Sequence, residues 1–345
     1  PNPAVGCIIV KDGVIVGRGA TQKGGRPHAE TVAIADAGDA ARGATLYVTL
    51  EPCSHQGVTG PCANAIVQAG LARVVSAVED PDPRVAGRGH EILRKAGIDV
   101  RVGVLAQEAA RANRGHILRV TQGRPMVTLK LAETADGFAA SADARDPRLM
   151  ITGQVANNRV QIMRAMHDAI MVGVGTVLGD DPLLTVRLAG LENRAPLRVV
   201  LDTHLRLPLR SRLVATAKDK PVLVLAGAGA ASEKRAALEA QGVMVGLVAC
   251  DATGHVDLAA ALQDLGARGI TRVFSEGGPH VAGALIGQGL ADEIVLIRGE
   301  KPFGRAGLPA LSETARRQLE NPARFSRVSE SMAGADRLTR FERIG

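Results

Sequence analysis

Short apolar, β-branched runs recur along the whole chain, and the segments between them carry helical spacing; this alternation confines the fold to the α/β class. VGCIIV at 5–10, a KDG turn at 11–13 and VIVGRG at 14–19 read as a hairpin. A helix over 28–37, a strand over 44–50, a helix over 61–70, a strand over 71–78, a helix near 89–96 and a strand over 98–104 follow. One terminal helix is expected across 106–125, ending in a Gly/Pro joint. A fresh strand pattern starts at Val127, which sets a boundary near Gly123 and two domains, 1–122 and 123–345. Strands over 168–175, 196–202, 221–227, 271–278 and 291–298, with helices around 153–165 and 231–241, make the second domain α/β too, mostly parallel with antiparallel additions.

The cores must be filled almost without aromatics, because 345 residues hold no Trp, one Tyr and five Phe against 40 Gly. Small residues imply helices lying close on their sheets. The net charge of +7 is spread along the chain with no basic block, which speaks against a nucleic-acid track and fits small phosphorylated substrates. No apolar run reaches the ~20 residues of a membrane helix, and no basic-then-apolar leader precedes the first strand, so the chain reads as cytoplasmic with no membrane partner. It opens on Pro1 with a strand pattern already at Val5, so an N-terminal element is expected to be missing ahead of it.

Chemistry concentrates where helices start. His28-Ala29-Glu30 opens one helix; Pro52-Cys53 is followed, eight residues on, by Pro61-Cys62, which opens another. One imidazole and two thiolates make three ligands for Zn2+ and leave a fourth tetrahedral position for water. A helix N-terminus favours thiolate over thiol, and Glu30, two residues past His28, is placed to shuttle protons without binding metal. Such a site suits hydrolytic deamination of an amidine-like ring carbon. Cys7 lies in an alternating apolar strand and Cys250 falls in the other domain, so both are expected to be inert.

The stretches PNPAVGCIIV, HAETVA, VTLEPCSHQGVTGPC and EDPDPRVAGRG resemble the bifunctional riboflavin-biosynthesis deaminase–reductase family, and the resemblance runs over nearly the whole chain. It implies a cytidine-deaminase-like three-layer domain that removes an amino group from 2,5-diamino-6-(5-phosphoribosylamino)pyrimidin-4(3H)-one. On that resemblance His28, Cys53 and Cys62 hold zinc, Glu30 moves protons, and Asn2, His55, Asp80 and Asp82 bind the substrate. The family often has a basic residue where this chain has Val58, and it begins with a helix before PNP.

The second domain lacks a GxGxxG between strand and helix. VGVGTVLGDDPLLTVR over 172–187 reads as a loop after a strand, and SEGGPHVAGALIG over 275–287 places Glu276-Gly277-Gly278 between strand and helix, where backbone N–H groups can cradle phosphate. Both resemble the family's dihydrofolate-reductase-like α/β domain, which uses NADPH to reduce the ribose to a ribityl group. The resemblance implies that Thr176, Asp180, Gly277, Gly278 and Gly283 face the cofactor, with Met150 and Thr152 beside it. It places Arg148, Arg164, Leu184, Arg187 and Glu276 on the substrate, and Lys130 with Glu276 at the hydride-transfer site. ETADG departs from the usual LDG segment, and Met150 and Arg148 stand where many members have Trp and Ser. The family also implies a homodimer or higher assembly through the reductase domains. The competing account is a nucleoside or RNA-base deaminase whose C-terminal half is a binding module without reductase activity.

Overall fold

Asp12-Gly13 joins the first two apolar runs, both residues at positive φ (50° and 79°) as a two-residue hairpin turn requires, so that β1 (Gly6–Lys11) and β2 (Val14–Ala20) pair antiparallel. The computed structural model describes residues 3–55, 60–83, 85–143, 145–146 and 149–344, in two compact units, Pro1–Gly123 and Arg124–Gly345. Asn2, Val58 and Arg148 lie outside the described residues.

In the first unit β3 (Thr45–Val48) pairs antiparallel with β1, and β4 (Arg73–Ser76) and β5 (Asp99–Val102) continue in parallel, in the order β2-β1-β3-β4-β5. Helices α1 (Ala29–Ala37), α2 (Cys62–Gln68) and α3 (Arg88–Lys95) bury their apolar sides with Cys7, Ile9, Leu46, Val48 and Val74. The α1 contact is made by small residues on both sides. Ala29, Ala33 and Ala37 recur every four residues and are buried, and they meet β2 at Gly17 and Gly19. A Cβ at Gly19 would lie 2.0 Å from the Ala29 carbonyl oxygen, and one at Gly17 2.4 Å from that of Ala33. This close approach seats the first turn of α1, with His28 and Glu30, against the sheet.

The long helix expected across 106–125 is two helices, α4 (Ala106–Ala112) and α5 (Arg114–Gln122). Asn113 breaks it at φ −97°, ψ 9°, its buried side-chain amide donating to the Ala109 carbonyl. Gly123, at φ 70°, ends α5.

The second unit is built on nine strands, in spatial order β11 (Met244–Val248), β10 (Val222–Gly227), β9 (Leu197–Leu201), β8 (Ala169–Gly173), β12 (Arg272–Ser275), β6 (Met126–Glu133), β13 (Glu293–Arg298), β16 (Asp336–Arg343) and β15 (Phe325–Ala333). The first seven run parallel, and β16 and β15 close the sheet antiparallel. β7 (Phe138–Ser141) and β14 (Gly307–Pro309) form a separate pair. Helices α10 (Leu258–Ala267), α11 (Pro279–Gly287) and α12 (Glu313–Glu320) cover one face. Helices α6 (Gln154–Ala165), α7 (Val174–Asp180), α8 (Arg212–Ala215) and α9 (Ser232–Ala240) cover the other. Burial on both faces explains why the central strands read as unbroken apolar runs. The segment expected as a loop over 172–187 begins as α7, because Val174 and Val177 bury against β8 and β9. Arg124 makes a two-pronged pair with buried Asp292 (2.7 and 2.9 Å), which also accepts from the Val127 amide and so fixes the start of β6.

Gly19→Val is expected to destabilise the first unit by about 3 kcal/mol, read as a fall in the denaturant midpoint. A midpoint equal to wild type would contradict the close contact of α1 and β2.

Candidate active sites

His28 is the residue before α1, and Cys62 is the first residue of α2, facing Cys53 from the loop after β3. His28 Nδ1 lies 3.3 Å from Cys62 Sγ and 3.6 Å from Cys53 Sγ, and the three ligand atoms all fall within 4.8 Å of one another. Donors bound to one tetrahedral zinc at ordinary bond lengths stand about 3.5–3.8 Å apart. The donor set and its spacing therefore fit zinc with only small adjustment. The start of α2 helps to hold the thiolate: the Cys62 amide donates to Cys53 Sγ at 3.3 Å, and the Ala63 amide donates to the Cys53 carbonyl at 3.2 Å. The Cys62 thiol donating to Cys53 is the largest cause that holds Cys53 down at about 4, and the same bond, with burial, pushes Cys62 up.

Glu30, in the first turn of α1, is 3% exposed. Burial is the largest cause that raises its carboxyl to about 7, and contact with Cys62 works in the opposite direction. A carboxyl so placed exchanges a proton near neutrality. Cys7 is buried and Cys250 exposed, and neither joins the cluster.

The loop after β4 brings Asp80 and Asp82 together. The Asp80 carboxylate accepts from the Asp82 amide (2.9 Å) and from Nε2 of His116 on α5 (3.2 Å). Glu51, two residues before Cys53, holds this loop from behind. Its buried carboxylate accepts from the amides of Asp80 (3.2 Å), Gly87 (2.9 Å), Gly89 (2.9 Å) and His90 (3.4 Å), the last two in the first turn of α3. A Cβ at Gly89 would lie 2.0 Å from the Pro52 carbonyl oxygen, so the Cys53 loop and the start of α3 touch through backbone. Glu51, Glu79 and His90 also come within ligand distance of one another, yet four amide donors already occupy the Glu51 oxygens; the group serves as a helix cap rather than a cation site. His55 is half-buried, with its Nδ1 shielded and unpartnered among the described residues.

In the second unit the chain returns after β11 to insert β12 between β8 and β6, a reversal of strand order of the kind at whose strand ends α/β sheets bind ligands. Glu276 follows β12 and is gripped by Arg164 of α6 through two hydrogen bonds, 2.5 and 2.9 Å. Arg164 donates its third bond to the Thr185 carbonyl at 2.9 Å, and Gln161 of α6 accepts from the Arg187 amide at 2.8 Å. Lys130 is opposite Val295, which packs under α6, so it lies on the Arg164 side of the sheet. Leu184 is buried, with φ at 50°. Gly277-Gly278 forms the turn into α11; a Cβ at Gly277 would lie 2.8 Å from that of Val281, and one at Gly278 would meet the Thr176 hydroxyl at 3.8 Å. Gly278 gives α11 no side-chain cap and Pro279 at its first position carries no N–H, so the amides that follow are the ones a cofactor phosphate would meet. Gly283, expected to face the cofactor as part of the turn that starts at Gly277, sits inside α11 instead. Asp180 is exposed at the end of α7, and Met150 is 76% exposed. The Thr152 hydroxyl bonds the Asn157 side chain at the start of α6.

Residues 1–78 match the cytidine and deoxycytidylate deaminase zinc-binding region, and residues 125–327 match the RibD C-terminal domain. The riboflavin biosynthesis protein RibD of Escherichia coli K12 is 40% identical over 331 residues, 91% of this chain and 88% of that protein. The chain belongs to the RibD family. Two solved RibD-family structures superpose over its full length: Acinetobacter baumannii RibD at TM-score 0.87 and 35% identity, with 93% of that chain covered, and a Thermotoga maritima protein at 0.83 and 34%, also with 93% covered. The latter is described as a diaminohydroxyphosphoribosylaminopyrimidine deaminase/5-amino-6-(5-phosphoribosylamino)uracil reductase. As in the RibD family, a zinc-binding deaminase unit precedes a reductase-like α/β unit, the architecture of a bifunctional enzyme. No helix among the described residues is long and apolar enough to cross a membrane.

Sequence reading missed Glu51 and His116. Glu51 stands in LEPC, and a carboxylate two residues from a ligand cysteine was the available signal; His116 gives none, since its partner is 36 residues away.

After metal is stripped with a chelator, Glu30 binds its proton more tightly folded than unfolded. Its stabilising effect is then full below the ordinary carboxyl value of 4.5 and is lost as pH rises through about 7. Chemical denaturation between about pH 4 and pH 8 should show metal-free wild type losing stability relative to Glu30→Gln as pH rises. A pH-independent difference would contradict the buried carboxyl.

Proposed function

We propose that this chain catalyses two consecutive steps of riboflavin biosynthesis: deamination of 2,5-diamino-6-(5-phosphoribosylamino)pyrimidin-4(3H)-one, then NADPH-dependent reduction of its ribose to ribitol. The observation that carries the first step is the His28, Cys53 and Cys62 cluster with buried Glu30 in contact with Cys62. Zinc on these donors would supply water acidified toward a pKa of about 7. Glu30 takes a proton as oxygen adds to the ring carbon and returns it to the departing nitrogen. The C–O bond forms first and the C–N bond then breaks, so that ammonia leaves and the ring carbon keeps a carbonyl. Asp80 and Asp82, braced by Glu51 and His116, would hold the ribose and phosphate side, with His55 and Asn2 near the ring.

NADPH would supply a hydride from C4 of its nicotinamide to C1 of the opened ribose or its Schiff base. The Gly277-Gly278 turn, Thr176, Asp180 and Gly283 would carry the cofactor, with Met150 and Thr152 at its margin. Arg164, Leu184, Arg187, Arg148 and Glu276 would bind the intermediate, and Lys130 would provide the accompanying proton. The match of residues 125–327 to the RibD C-terminal domain runs against a bare binding module in this half. The partner is a small phosphoribosyl-pyrimidine rather than nucleic acid. A homodimer through the reductase units is supported by β15, an outermost strand with Met332 exposed, beside Val155 and Ile162 exposed on α6.

Glu30→Gln should retain zinc, lose deamination by about 10³-fold and still reduce pre-deaminated substrate at the wild-type rate. Deamination that survives the substitution would overturn the role of Glu30.

A further inference from the structure

Arg198, the second residue of β9, is 1% exposed and sits between Ile170 of β8 and Val222 of β10, both fully buried. A single cation in the PLRVVLD run would ordinarily turn to solvent, yet this one turns into the apolar layer beneath α7 and α8. No carboxylate among the described residues lies within salt-bridge distance of it. Burial lowers the guanidinium only to about 10, so it stays charged at neutral pH.

Its partners are all oxygens. Nη1 donates to the Leu183 carbonyl (3.2 Å) and the Thr216 hydroxyl (2.8 Å). Nη2 donates to the carbonyls of Leu213 (3.5 Å), Thr216 (3.1 Å) and Lys220. Burying a cation without an anion is costly, and an apolar side chain of similar volume would suit the surroundings better. What the arginine does, and an apolar residue would not, is tie Leu183 to the 213–220 segment.

Leu183 begins a segment held from both ends. Arg198 binds the carbonyl before Leu184, and Arg164 binds the carbonyl after it, at Thr185. Leu184 between them is buried in a left-handed conformation that a β-carbon disfavours, so the segment needs outside restraint to stay there. Arg187 follows on the same run, its amide held by Gln161.

We propose that Arg198 is a positioning residue of the reductase substrate site: through the Leu183 carbonyl it holds Leu184 and Arg187 in the arrangement that receives the phosphoribosylamino-uracil. This rests on the reading of 184–187 as substrate-binding given above. Arg198 itself, 1% exposed, is shielded from direct contact with either ligand.

The test uses the full chain and follows reduction of the pre-deaminated substrate, NADPH affinity, deamination and thermal midpoint together. Arg198→Met should raise KM for that substrate about tenfold, leaving NADPH affinity and deamination within about twofold. Arg198→Lys keeps the charge but lacks the planar fork that spans Leu183 and Thr216; it should shift KM the same way and stands in if the Met variant does not fold. Thr216→Val removes a partner at the far end and leaves the Leu183 bond intact. It should lower the thermal midpoint and leave KM unchanged. Unchanged KM in Arg198→Lys, or an equal rise in Thr216→Val, overturns the positioning role. Wild-type chain that fails to reduce the substrate at all overturns instead the reductase reading on which it rests.

Discussion

The first turn of every α-helix carries amide groups with no partner inside the helix, and in both units the chemistry gathers where a strand hands over to such a turn. α2 turns its first amides toward Cys53, so the loop that brings this sulfur also receives hydrogen bonds to it. α3 meets the same need with the protein's own anion, Glu51, which thereby fastens the Asp80 loop to the Cys53 loop. α11 is led in by Gly277-Gly278, whose N-cap glycine offers no side-chain cap, and Gly277 leaves room for Val281 of the same helix. One constraint thus has three outcomes: a sulfur of the metal-donor cluster is held, a loop is braced, and a helix start is left without a side-chain cap.

Close packing makes these placements precise. With so few aromatics, the first unit relies on Ala29, Ala33 and Ala37 meeting Gly17 and Gly19, and that contact sets the height of His28 and Glu30 above the sheet. The second unit uses buried arginines where the first uses small residues. Arg124 fixes the start of β6, Arg164 joins α6 to Glu276 and Thr185, and Arg198 joins β9 to Leu183. Each joins separate elements with a fork of fixed geometry, across more than a hundred residues for Arg124 and Arg164 and between the segments flanking β9 for Arg198.

The α/β class, the first hairpin and the metal donors were legible because each rests on local spacing: His28 and Glu30 on one helix start, Cys53 and Cys62 flanking another. The break at Asn113 was not, since the helical pattern runs on either side of it and the side-chain bond to Ala109 leaves no mark on that pattern. The β15–β16 hairpin also escaped notice; β15 is exposed along Ser326–Met332, so it lacks the alternation that marks a half-buried strand. Loop 172–187 hid α7 behind its glycines and aspartates. Arg198 was the least legible, because only the tertiary fold reveals that a charged residue in a strand points inward to carbonyl oxygens.

The central claim is that one chain performs both half-reactions. The most direct measurement incubates the zinc-loaded protein with the diaminopyrimidine phosphate, with and without NADPH, and identifies products by mass. Exchange of an amino group for oxygen without NADPH, and a further gain of two hydrogens only with it, is the predicted result. A product that never gains hydrogen, or one that gains hydrogen while keeping the amino group, would contradict the account.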